Sequence, residues 1–96
     1  MSSFEAVKGP TEIHDFALNY GVEFAKDDPS DSISTSSWAV TRGEVVIDSD
    51  RVEGDRAIAR VSGGTKFHSL HEIQNTVIAA SGQRYVRTIL IELYNS

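Results

Sequence analysis

The C-terminal third of the chain alternates as one β-hairpin, with a first arm from His71 to Ala80, a turn Ser81-Gly82-Gln83-Arg84, and a return arm from Tyr85 to Leu93. Both arms are rich in β-branched residues and place apolar side chains at every second position. Ile73, Asn75 and Val77 share one face, and Tyr85, Ile89 and Ile91 are their partners across the turn. A two-stranded ribbon with one apolar face is not stable in water by itself, so a second sheet must cover it.

The rest of the sequence supplies that second layer. Thr11 to Tyr20 places His14, Phe16, Leu18 and Tyr20 at spacing two and reads as a strand; a competing helix uses Thr11 as a cap and Phe16, Tyr20 and Phe24 at spacing four. Lys26-Asp-Asp-Pro-Ser-Asp31 is a loop. Ser32 to Arg42 is a strand, but Ile33 and Trp38 stand an odd number of residues apart, so a bulge near Ser36-Ser37 is expected to bring them to one face. Glu44 to Ser49 is a further strand, Asp48 to Asp55 a polar connection, and Arg56 to Ser62 a half-exposed strand with Ala57, Ala59 and Val61 on one side. Turns recur at roughly ten-residue intervals, the rhythm of an antiparallel sandwich of about seven strands. The expected core is Trp38, Val40, Val61, Ile73, Val77, Ile89 and Ile91, with turns at Gly63, Gly64 and Gly82. Residues 1–9 read as a flexible lead segment to one domain spanning 1–96.

With 96 residues and no cysteine, the domain is held by packing and not by disulfides. Residues 1–64 hold 6 Lys and Arg against 12 Asp and Glu, and residues 65–96 hold 3 against 2. Basic residues dispersed singly among acids do not make a phosphate-tracking surface, so nucleic acid is not an expected partner. No stretch reads as a signal peptide or approaches the ~20 apolar residues of a membrane span, so neither export nor a membrane partner is expected.

Candidate chemistry is sparse. Asp48, Asp50, Glu53 and Asp55 are four carboxylates within eight residues, but Val52 stands where a third oxygen ligand belongs and no Glu occupies the closing position of a calcium loop, so a solvated acidic turn is expected. His68 and His71, three apart, would lie on opposite faces of a strand and do not form a metal pair there. Gly63-Gly64 lacks the Gly-Lys of a phosphate loop, and no nucleophile elbow occurs. Neither cofactor, metal nor catalytic residue is expected. Trp38 reads as a core residue, with a partner anchor as the competing role.

Lys8-Gly-Pro10, Ile33-Ser-Thr-Ser-Ser-Trp38-Ala-Val40, Asp48-Ser-Asp50, Val61-Ser-Gly-Gly64 and Asn75-Thr-Val-Ile-Ala-Ala-Ser-Gly82-Gln-Arg84 form an ordered set from about Lys8 to Leu93. In order and spacing this set resembles a family of small tailed-phage structural proteins with an immunoglobulin-like sandwich, some of them labelled fiber-tail adaptors. The resemblance implies structural roles for Trp38, Gly63, Gly64 and Gly82 and carries over no catalytic residue. It also implies a non-enzymatic virion protein, in the host cytoplasm before assembly, whose partners are other phage structural proteins and, on the particle, symmetric copies of itself. The chain departs from the pattern at Lys66-Phe-His-Ser-Leu-His71, where the family places an aromatic near His71. Two other roles remain open: a capsid decoration protein, and a carbohydrate-binding module using Phe67 and Tyr94.

Overall fold

The computed structural model describes residues 2–8, 12–63 and 70–93, with side chains described for 12–63 and 70–92. Among the described residues there are seven strands and one short helix: β1 (Ser2–Lys8), β2 (His14–Asn19), α1 (Gly21–Asp27), β3 (Ile33–Arg42), β4 (Val45–Glu53), β5 (Arg56–Gly63), β6 (Leu70–Ala79) and β7 (Arg84–Leu93). They form two layers, a four-stranded sheet ordered β1-β7-β6-β3 and a three-stranded sheet ordered β2-β5-β4. The partition of β2, β5 and β4 against β3, β6 and β7 is that of an immunoglobulin-type sandwich, here with the first strand added to the opposite sheet. Ser2–Lys8, within the stretch read as a lead, runs parallel to β7; every other pairing is antiparallel.

The hairpin forms in the register its alternation demands: Ile73 faces Ile89, Val77 faces Tyr85, and His71 faces Ile91. Its tip is closed by Gly82, at φ 95°, whose amide donates to the Ala79 carbonyl while the Ala79 amide donates to that of Gln83. Ile73, Val77, Ile89 and Ile91 meet Val61, Ala57, Ala59, Leu18 and Val45 of the facing sheet in one core. The three small or β-branched residues of β5, a central strand, let the layers approach closely.

Several expectations are corrected. β3 does bulge to bring Ile33 and Trp38 to one face, but the register shift lies at Ser34, between Ile33 and Thr35, with a second at Thr41. Ser36 and Ser37 pair regularly with Val77 and Thr76. Val40 is exposed, although it shares the inward side of β3 with Trp38 and pairs with buried Ile73; β3 is a sheet edge, so one flank of this position has no neighbouring strand to cover it. Trp38 itself is half-buried and packed against the core. The acidic stretch from Asp48 to Glu53 is not a loop but the second half of β4, paired along β5.

Thr11 to Tyr20 yields a strand that begins at His14, and the helical spacing of Tyr20 and Phe24 belongs to α1, which follows it directly. The Asn19 side chain accepts the first helical amide, that of Gly21, at 2.8 Å. Glu23 in the first turn and Lys26 in the last suit the helix dipole. Asp28-Pro29 then ends the helix. Gly64, Phe67, His68 and Tyr94, all singled out in the sequence, lie outside the described residues. No helix among the described residues is long and apolar enough to cross a membrane.

Candidate docking surfaces

A buried polar knot locks the two sheets together. Asn75, fully buried on β6, accepts from the Tyr20 hydroxyl at 2.7 Å and donates to Ser36 Oγ and the Ser37 carbonyl of β3, each at 3.0 Å. Tyr20 leads from β2 into α1, so this one side chain ties both layers and the sheet edge. Burial pushes the Tyr20 hydroxyl up to about 12, which keeps it a neutral donor. Tyr20, Phe24 and Tyr85 form an aromatic cluster beside the knot, with ring centroids 5.8 to 6.4 Å apart, and the Arg87 guanidinium lies over both tyrosines at 5.7 and 5.8 Å. The Tyr85 hydroxyl donates to Asp27 of α1 at 3.0 Å; burial, then this carboxylate, raises its ionisation above the ordinary tyrosine value.

The turns are tied equally firmly. Asp31 accepts from the Ser81 hydroxyl at 2.5 Å and from the Ser81 amide at 3.0 Å, pinning the hairpin tip to the start of β3, and these bonds hold its carboxyl below the usual range. At the opposite end His71, buried on β6, accepts the Glu44 amide through Nδ1 at 2.8 Å. Gly43, at φ 91°, passes so close that a Cβ there would sit 2.0 Å from that nitrogen. The histidine therefore seats the β3–β4 crossing between the sheets, and no metal-binding cluster exists among the described residues.

Two outer faces remain. That of the three-stranded sheet is a grid by register: Asp15–Arg60–Ser49, Ala17–Ile58–Arg51 and Asn19–Arg56–Glu53. Arg60 Nε donates to Asp15 at 2.9 Å, Arg51 reaches Asp15 at 3.5 Å and Glu53 at 2.6 Å, and Arg56 closes on Glu53 at 3.3 Å. The Arg60 hydrogen bond, more than any other influence, holds the Asp15 carboxyl down, as the Arg51 bond does for Glu53. Ile58 points outward within this lattice, in register between Ala17 and Arg51, yet is only 4% exposed, as expected where long arginine stems can lie along apolar surface. Glu53, one of the four carboxylates weighed as cation ligands, is thus spent on arginines.

The outer face of β3, β6 and β7 has the opposite character. Its central rows are Thr35–Ile78, Ser37–Thr76–Val86 and Ala39–Gln74–Thr88, with Leu90 beyond. Thr35, Ser37, Ala39 and Ile78 are exposed, and Gln74, Thr76, Val86 and Leu90 half-buried. On the outward side of these three strands charge is confined to the ends, at Arg84 on one and Arg42, Glu72 and Glu92 on the other; Arg87, also on β7, is turned the other way, over Tyr20 and Tyr85. The result is an uncharged surface across the middle of the outward side of β3, β6 and β7.

The family model of the podophage GP4 fiber-tail adaptor protein gp77 matches residues 8–92, from the last residue of β1 to the penultimate residue of β7. The chain belongs to that family. Among curated proteins none matches it. Among solved structures, a Photobacterium sp. JT-ISH-224 2,6-sialyltransferase in complex with CMP and lactose superposes with a TM-score of 0.63 at 12% identity, over 97% of this chain and 17% of that one. The chain spans about a sixth of that enzyme's length, and the likeness is one of fold alone. Of the residues singled out in the sequence, Val61, Ile73, Val77, Ile89 and Ile91 meet in the core, whereas the arginine lattice was missed: Arg51, Glu53 and Arg56 are close in sequence, but only strand pairing brings Asp15 to Arg51 and Arg60.

Proposed function

We propose that this fiber-tail adaptor family member is a non-enzymatic virion component that joins fiber to tail through protein–protein contact, with no nucleic acid, membrane or cofactor as partner. The family match over residues 8–92 carries the reading, because it takes in the whole two-layer body and not a shared loop. The geometry supports it. Knot, hairpin latch and crossing are each fastened between elements, as a part that transmits load without changing shape requires. The uncharged face of β3, β6 and β7 is the surface on which a partner is seated, since covering it strips water from no ionised group in its centre. The arginine-lattice face stays in solvent. Copies arrayed about a tail axis would give each one the same neighbours.

Cryo-electron microscopy of purified particles carrying a labelled copy tests this. Density at the fiber–tail junction, with a neighbour against Ser37, Thr76 and Val86, is the expected result. Density on the capsid shell would make the protein a decoration protein instead, and its absence from particles would remove the structural role altogether.

A further inference from the structure

β1 is attached unlike any other strand. It pairs along its whole length, Ser2 beside Arg87 through Lys8 beside Leu93, and it does so in parallel, the weaker of the two pairing geometries. β7 is its one extensive neighbour among the described elements. It also stands almost wholly outside the family match, which starts at residue 8. Without β1 the body is two three-stranded antiparallel sheets, and β7 is then an open edge with its hydrogen-bonding groups turned outward.

We propose that the β7 edge, from Arg87 to Leu93, is a strand-accepting site, and that β1 of a second copy of this chain fills it by exchange with the chain's own β1. The ladder offered to the incoming strand is the same seven-residue parallel register in both cases, so exchange sacrifices no pairing. β1 is followed by residues 9–13, a connection that includes Pro10 and leads to β2, a strand of the opposite sheet. Six Cα steps from Lys8 to His14 reach roughly 20 Å when extended, twice the ~10 Å between packed sheets. A covalent reach of that size also allows the strand to pair with an edge placed beside its own. Each copy gives its β1 and receives another, a head-to-tail contact that closes into a ring when the rotation permits. The site involves copies of this chain alone and stands whether or not the fiber-tail placement holds.

The chain has no cysteine, so engineered thiols report the pairing directly. Ser3 lies beside Thr88 in the β1–β7 register, and adjacent strands ~4.8 Å apart are within disulfide reach. A chain carrying both Ser3→Cys and Thr88→Cys should close on itself when dilute; failure to close would overturn the register and the proposal with it. The two single variants, refolded together at high concentration and oxidised, should give a disulfide-linked heterodimer in at least about ten-fold excess over Ser3→Cys mixed with Ser81→Cys, because only the first pair is held together by a ladder. Equal yields would overturn the exchange. A second variant removes Pro10–Ile13, leaving two Cα steps, roughly 7 Å, which cannot bridge the sheets. It should shift from the 10.5 kDa monomer to two or more chains by light scattering, with those Arg87–Leu93 amides that are directed away from β6 still protected from hydrogen exchange. A folded monomer in which that alternate set exchanges freely would overturn the proposal.

Discussion

The two outer faces of this sandwich are built from the same pleated backbone and differ in how their side chains meet water. On the three-stranded sheet, Asp15, Glu53, Arg51, Arg56 and Arg60 are already paired with one another, so a partner arriving there would have to break or desolvate those pairs. On β3, β6 and β7 the corresponding face carries Ser, Thr, Gln, Ala, Val, Ile and Leu with no ionised group among them, and a partner that supplies hydrogen bonds covers such a surface at less cost than it covers charges. For the joining role proposed above, this difference sets a direction: the neutral side is the one to cover and the paired side the one to leave in solvent. Exposed pairs of this kind contribute little stability individually. Their role is better read from Ile58, an outward-facing aliphatic residue kept dry beneath them.

The comparison presupposes two layers held at fixed separation, and the most damaging way to break it is to cut the lock. Asn75→Leu leaves the buried Tyr20 hydroxyl without its acceptor and removes the part-buried bonds to Ser36 and Ser37; an unsatisfied buried group costs about 1–3 kcal/mol, a large share of a small domain's total. Chemical denaturation should show the midpoint falling steeply, with both faces disordered together. An unchanged midpoint would mean the layers are held by aliphatic packing alone. Next in size is Thr76→Lys, in the middle of the neutral face. The protein should fold normally, yet its incorporation into particles should fall about a hundredfold, the effect of an unpaired charge in a buried interface. Normal incorporation would move the partner to another face.

Much of the fold was legible because β periodicity is a local signal. The closing hairpin, the inward set Ile73, Asn75 and Val77, and the alternation of β5 depend only on neighbours two residues away. What was not legible depends on partners far along the chain. The bulge that reconciles Ile33 with Trp38 was inferable as a necessity, but its place at Ser34 is set by the register against Ile78 and Ala79. Val40 reads as core by parity and is exposed because strand order puts β3 at an edge. Asp48 to Glu53 reads as a loop by composition and is a strand because Arg56 and Arg60 on β5, with Asp15 on β2, accommodate its charges. Asn75 was visible as a polar residue in an apolar row, and such a residue inside a sheet demands partners; that Tyr20 was one of them was not visible.

The two remaining tests address the charged face alone. Ile58→Val should lower stability by about 1 kcal/mol, with incorporation unchanged, if Ile58 is roofed and this face is free of partners; no loss of stability would mean the stems do not cover it. The smallest effect belongs to Asp15. Its carboxyl ionises at lower pH in the folded chain than in the unfolded one, chiefly through Arg60. Its contribution is therefore complete above the unfolded value of about 3.9 and is lost as pH falls through the lower, folded value. Asp15→Asn should flatten that part of the stability curve and make the acid limb less steep. High salt should have the same sign of effect on the native chain, since the pairs are exposed. If the variant and the native chain lose stability in parallel between pH 5 and pH 2, the pairing of Asp15 with Arg60 and Arg51 is an arrangement of side chains without thermodynamic weight.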